Sequence, residues 1–219
     1  EYQFDWLGDG QTDLSDWGSA TQSKTWTTGG TFIVRARARC ATHTDIVSKW
    51  SEGLVVTIES VSAPTLLNGP IEGIPNQSYS YTASGAISTA GHALEYQFDW
   101  GDGTTSEWGS GTQSKTWTVG GSYNIKARAR CATHTTVVSD WTSELTVTIE
   151  LISVPSTPVG PNLGNLGTSY SFTTGGSISN LGHLVEYQFD WGDGTFSAWG
   201  SSTQSKSWNM LGTFVIKAR

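Results

Sequence analysis

Three side chains able to bind a metal stand around one segment of the sequence. His92 precedes the stretch EYQFDW at 95–100, and Cys131 and His134 lie in CATHT at 131–135. Thiolate sulfur and imidazole nitrogen are zinc donors, and a structural zinc site is closed entirely by protein ligands. If the strands on either side are antiparallel neighbours, the loop before EYQFDW and the stretch after KARARC share one pole, which brings the three together. Against zinc, Cys131 alternates onto the inward face of its strand and no fourth ligand repeats beside them. A buried thiol also packs as a small apolar group. A second chemistry is calcium. Asp99, Asp102 and Glu107 surround the Gly101-Asp102-Gly103 turn, as Asp190 and Asp193 do in a later copy. Ca²⁺ takes about six to eight oxygen ligands; the spacing is not that of an EF-hand, and Asp102 reads equally well as a cap on the turn. A third is sugar stacking. Trp108, Trp141, Trp17, Trp50 and Trp199 flank Gly and Ser in loops and are the candidate exposed aromatics, whereas Trp100 and Trp117 alternate inward with core residues. Asn76-Gln77-Ser78 is an N-glycosylation sequon for a chain that is secreted. No G-x-S-x-G elbow, HExxH or P-loop is present, and no enzymatic activity is expected.

An internal repeat sets the elements that position these residues. RARARCATHTDIVSKW at 35–50 returns as KARARCATHTTVVSDW at 126–141, 91 positions on, and EYQFDWGDG at 95 returns at 186 with the same offset. WGSATQSKTWT, WGSGTQSKTWT and WGSSTQSKSWN mark one place in all copies. The first copy carries three extra residues between Trp6 and Trp17 compared with Trp100 to Trp108, as a surface loop tolerates. The chain thus reads as the C-terminal part of one repeat at 1–61, a complete repeat at 62–151 and the N-terminal part of a third at 152–219. Two origins fit that division: a window of a longer tandem array, or partial copies completed by strands of neighbouring chains.

Two-residue alternation runs throughout, and helical periodicity is absent. In EYQFDW, Tyr96, Phe98 and Trp100 share one face, and Glu95, Gln97 and Asp99 the other. In SYNIKARARC, Tyr123, Ile125, Ala127, Ala129 and Cys131 oppose Asn124, Lys126, Arg128 and Arg130. SYSYTAS at 78–84, SKTWTV at 114–119 and ELTVTIE at 144–150 supply further strands between glycine-rich turns. The fold class this predicts is all-β, with tandem immunoglobulin-like antiparallel β-sandwiches. The polar faces match if Glu95, Gln97 and Asp99 lie opposite Arg130, Arg128 and Lys126, which makes the arginine row an exposed half-ladder rather than a ligand groove.

YQFDWGDG, followed by SKTWTVGGSYNIKARA, resembles the polycystic-kidney-disease (PKD) domain. That domain has an aromatic strand ending in a GDG turn and then a T-[YW]-x-x-x-G-x-Y-x-[VI] segment. The resemblance covers the central and later strands of all three copies; the opening stretch APTLLNGPIEGIPNQSYSYTA is compatible with it. It implies a seven-stranded sandwich of secreted or cell-surface proteins, used as a spacer or adhesion module, with Trp100 and Trp117 as core aromatics and no catalytic residues.

Net charge is −7, which disfavours a phosphate-backbone partner. No apolar run is long enough to insert into a membrane. Cys40 and Cys131 occupy equivalent repeat positions and are not expected to meet. Pro155, Pro158 and Pro161 limit the freedom of the last linker. These features predict a structural repeat region of an extracellular surface protein or filament (stalk, adhesin or fibre subunit). Its partners are copies of itself or adjacent repeats, with glycans as further partners and no cofactor. The alternative is a carbohydrate-binding accessory module of a secreted hydrolase.

Overall fold

The computed structural model describes residues 1–219 and holds strands, turns and loops without a helix. In chain order the first copy supplies β1 (Tyr2–Asp5), β2 (Gly30–Ala38) and β3 (Leu54–Ile58). Residues 62–151 supply β4 (Leu66–Asn68), β5 (Glu72–Gly73), β6 (Ser78–Ser84), β7 (Leu94–Asp99), β8 (Thr112–Thr116), β9 (Gly121–Cys131) and β10 (Leu145–Ile149). The third copy supplies β11 (Tyr170–Thr173), β12 (Phe189–Asp190), β13 (Thr203–Lys206) and β14 (Lys217–Ala218). The chain forms two compact units, one of Glu1–Gly69, Ser80–Ser114 and Asn124–Leu145, the other of Pro70–Tyr79, Lys115–Tyr123 and Thr146–Arg219.

In the first unit, β1, β2 and β3 form an antiparallel sheet in that order. A second sheet runs β4–β6–β8, and β7 pairs antiparallel with β9. Between these two layers lie Tyr81 and Ala83 of β6, Phe98 of β7, and Ile125, Ala127, Ala129 and Cys131 of β9, all buried. Trp100 bridges the layers: it stacks on Phe98 at 5.0 Å and reaches Tyr81 at 5.9 Å between ring centroids. Such aromatic pairs add about 0.5–1.5 kcal/mol beyond the area they bury. Phe4, the counterpart of Phe98 in the first copy, is only half-buried, because one sheet alone covers it.

The polar faces of β7 and β9 meet in the register their alternation predicts, Glu95↔Arg130, Gln97↔Arg128 and Asp99↔Lys126. Arg130 Nε donates to Glu95 Oε2 at 2.9 Å, and Arg128 donates to Gln97 Oε1 from two nitrogens at 3.1 and 2.7 Å. The opposite sheet is uncharged at the matching positions. There the hydroxyls of Ser80 and Ser114, and of Thr82 and Thr112, pair at 2.9 Å.

In the second unit, β5 runs parallel to β10 through Thr148↔Glu72 and Ile149↔Gly73, a short exception to the antiparallel rule. Trp117 is buried and stacks on Tyr123 at 5.2 Å. In the third copy β11 pairs with β13 and β12 with β14, both antiparallel. Phe172, Tyr187, Phe189 and Trp191 form the core between those layers, with Trp208 packed against it. The serine and threonine pairs recur here, Ser171 with Ser205 and Thr173 with Thr203, both at 2.9 Å.

Candidate functional site

Ligand-type atoms from three or more His, Cys, Asp or Glu residues converge in one place, formed by Glu59, His92, Cys131 and His134 and spanning no more than 4.8 Å. Glu59 follows the end of β3. His92 precedes β7, Cys131 ends β9 with its thiol fully buried, and His134 lies in the turn beyond. The antiparallel β7–β9 pair, with Leu94 opposite Cys131, sets the two loops at one pole. Cys131 Sγ lies 3.5 Å from His92 Nδ1 and 4.0 Å from His134 Nδ1. The backbone N–H groups of Thr133 and His134 point at the sulfur from 3.3 and 3.1 Å.

Glu59 closes the group from the other side. Its Oε1 is 3.0 Å from His92 Nδ1 and its Oε2 is 2.6 Å from His134 Nδ1. The Ser88 hydroxyl donates to Oε1 at 2.6 Å. That bond, together with those from Cys131, His134 and His92, holds the Glu59 carboxyl down to about 2, against the opposing effect of desolvation. Two imidazole nitrogens, a thiol sulfur and a carboxylate can share protons as a hydrogen-bonded network or surround a cation.

The neighbouring chain is laid down by a short antiparallel association. Val61 bridges Ser88, Ser62 N–H donates to Ile87 O at 3.0 Å, and Thr89 N–H donates to Ser60 O at 3.0 Å. The same pattern returns 91 positions later. Ile152 bridges Ser179, Ser153 N–H donates to Ile178 O, and Asn180 N–H donates to Leu151 O, the last two at 3.0 Å. There Glu150 accepts from Ser179 at 2.8 Å and lies 2.9 Å from His183 Nδ1. Ser179, and then His183, lower the Glu150 carboxyl below its ordinary value.

The loop tryptophans lie along the arginine row. Arg128 stands over Trp141 at 4.4 Å and Trp108 at 5.3 Å, and Arg130 over Trp108 at 4.5 Å. In the first copy Arg37 lies over Trp50 at 4.4 Å, and Arg39 over Trp17 at 4.6 Å. Trp199 is 53% exposed, with Arg219 5.6 Å from its ring. Four of the five are thus half-buried beneath guanidinium groups.

The sequence matches no family model and no curated protein. Among solved structures, the PKD domain of an M14-like peptidase from Thermoplasmatales archaeon SCGC AB-540-F20 is 31% identical, over 41% of this chain and 94% of that one, at a TM-score of 0.35. This is a PKD-like immunoglobulin fold. Two further similar structures are a carbohydrate-binding module of the β-sandwich superfamily (11% identity, 73% of this chain, 83% of that one, TM-score 0.32) and the FN1–FN3 domains of chicken CNTN1 (14%, 85%, 66%, 0.29).

In the PKD-like GDG turn the aspartates cap backbone. Asp99 accepts from Gly101 N–H at 3.0 Å, and Asp102 accepts from the N–H and hydroxyl of Thr104 at 3.1 and 2.6 Å. They do not gather with Glu107 into a common donor set. Asn76 is exposed on a turn with φ of 65°, its N–H donating to Trp117 O at 2.7 Å. Cys40 and Cys131 are free thiols. No helix is long and apolar enough to cross a membrane. Reasoning from sequence brought His92, Cys131 and His134 together but missed Glu59. The signal was available, since Glu59 returns as Glu150 at the spacing that carries His92 to His183.

Proposed function

We propose that the chain is a non-catalytic structural repeat region of an extracellular or cell-surface protein or filament, with 62–151 as its complete module. One observation carries this reading: the junction from one repeat to the next is built twice with the same bonds, Glu59–Ser88–His92 and Glu150–Ser179–His183. A junction reproduced bond for bond suits a protein whose task is to propagate a fixed relation between modules. The conspicuous chemistry also recurs with the repeat, as architecture does, and adjacent repeats or further copies of the chain are the partners it calls for. In the complete module, Trp108 and Trp141 contribute to packing, since guanidinium groups lie against their rings and compete with a sugar for the same faces.

Electron micrographs of the native material test this. Uniform fibres or stalks with a regular axial repeat are the expected result. Glycan-array binding that disappears in Trp108→Ala and Trp141→Ala variants, without fibres, would replace it with the carbohydrate-binding accessory role.

A further inference from the structure

We propose that Glu59, His92, Cys131 and His134 form a closed tetrahedral site for zinc or a zinc-like divalent ion, fastening the end of one repeat to the next. The inference stands whether the parent is a filament or an accessory region of an enzyme, because it rests on the donor set alone.

Three features carry it. The first is geometry. Zinc bonds of about 2.0–2.3 Å place tetrahedral donors about 3.3–3.7 Å apart. Here Sγ stands 3.5 and 4.0 Å from the two Nδ1 atoms, and every donor lies within 4.8 Å of the others. The shorter Glu59 contacts, 3.0 and 2.6 Å, are hydrogen-bond distances, and the carboxylate and imidazoles must part by about 0.3 to 1 Å to reach tetrahedral spacing around a metal.

The second is chemistry. A thiolate with two neutral imidazoles and one carboxylate suits zinc rather than calcium or magnesium, which take oxygen. Thiolate and carboxylate together balance the two positive charges of the ion. Binding displaces the thiol proton, and any proton held between Glu59 and the imidazoles, to solvent. The amide hydrogens of Thr133 and His134 point at Cys131 Sγ and hold it in place, and the Ser88 hydroxyl fixes the carboxylate from behind, as outer-shell partners do.

The third is recurrence. Cys131 and His134 correspond to Cys40 and His43, where Sγ and Nδ1 are 3.7 Å apart and the His43 N–H again points at sulfur, at 3.3 Å. Glu59 and His92 correspond to Glu150 and His183, 2.9 Å apart. The set therefore splits in a fixed way, with the carboxylate donated by one repeat and the His, Cys and His by its successor. All four donors meet once in this chain, so it takes one ion.

The test uses the full chain, stripped with chelator and titrated with cobalt(II) and then zinc(II). One equivalent of cobalt should give the visible bands of a tetrahedral ion and a sulfur-to-cobalt charge-transfer band, both abolished by one equivalent of zinc. Zinc should also raise Tm, and chelator should reverse the rise. Glu59→Gln and Cys131→Ser should lose the bands. His134→Ala, at an exposed position that leaves the fold intact, decides the matter if Cys131→Ser fails to fold. Ser88→Ala should weaken affinity about 10–100-fold, and Cys40→Ser should change nothing. A folded wild-type chain without tetrahedral cobalt bands would overturn the proposal in favour of a hydrogen-bonded cluster. Bands that survive Glu59→Gln and His134→Ala, or that depend on Cys40, would overturn it as well.

Discussion

The guanidinium carbon of Arg128 lies over the Trp141 ring, 4.4 Å from its centroid, while the same guanidinium donates twice to Gln97 Oε1. The hydrogen bonds hold the plane of the cation and the ring covers it. Lysine keeps the charge but has neither the planar fork nor the stacking face. Arg128→Lys is therefore expected to destabilise by about 1 kcal/mol. A double-mutant cycle between Arg128→Ala and Trp141→Ala should return a coupling of about 0.5–1 kcal/mol in urea denaturation. A coupling of zero would reduce the contact to mere proximity.

The two glycines of the GDG turn make different demands. Gly101 has φ of 72°, and a Cβ there would stand 2.7 Å from the backbone N and O of Asn124. Gly103 has φ of 84°, with open space around it. Gly103→Ala should cost about 1 kcal/mol, the penalty of a left-handed backbone alone. Gly101→Ala should cost clearly more, because the strand facing it must also move. Equal losses of Tm in the two variants would contradict this.

Phe98 is fully buried between two layers, whereas Phe4 in the first copy is half-buried under one. Phe98→Ala should lose about 3–5 kcal/mol and Phe4→Ala roughly half of that or less. Chemical denaturation followed by tryptophan fluorescence makes the comparison. A larger loss at Phe4 would show that its exposed side is covered in solution.

Asp193 offers a pH dependence of defined sign. Its bond from Lys206 at 2.8 Å, and then those from Thr195, lower its carboxyl from 3.8 to about 2. A depressed carboxyl contributes stability that is complete above its unfolded value and is lost as pH falls through its folded one. The stability advantage of wild type over Asp193→Asn should be level above about pH 4 and shrink toward about pH 2. An advantage that stays constant across that window would mean the ion pair is not formed.

Much of the fold could be read from residue order. Tyr96, Phe98 and Trp100 alternate against Glu95, Gln97 and Asp99, and the complementary row on β9 fixed the register. Strand alternation states which face a side chain takes, and opposed charges select among registers that would all bury the same apolar face. Other features were hidden because they depend on segments without periodicity. β5 is two residues long, too short to alternate, so its parallel alignment with β10 left no mark in the pattern. Trp141 reaches Arg128 from a loop whose course depends on tertiary packing. His92, Cys131 and His134 were legible as a group because a single strand pair brings them together. Glu59 was legible only through the 91-position repeat that returns it as Glu150, because it belongs to the preceding copy, 33 residues before His92, and no local rule extends across that border.

The paired hydroxyls on β6 and β8, repeated on β11 and β13, carry no charge and release no proton in ordinary waters. Dissolved ions screen the guanidinium–carboxylate rows of the other layer, and acid neutralises their carboxylates. Neither touches a serine bonded to a serine. The hydroxyl pairs thus keep their strands in line through brine or acidity that slackens the guanidinium–carboxylate row of β7 and β9, while in the third copy the hydroxyl-paired layer also feels acid, through the Lys206–Asp193 ion pair.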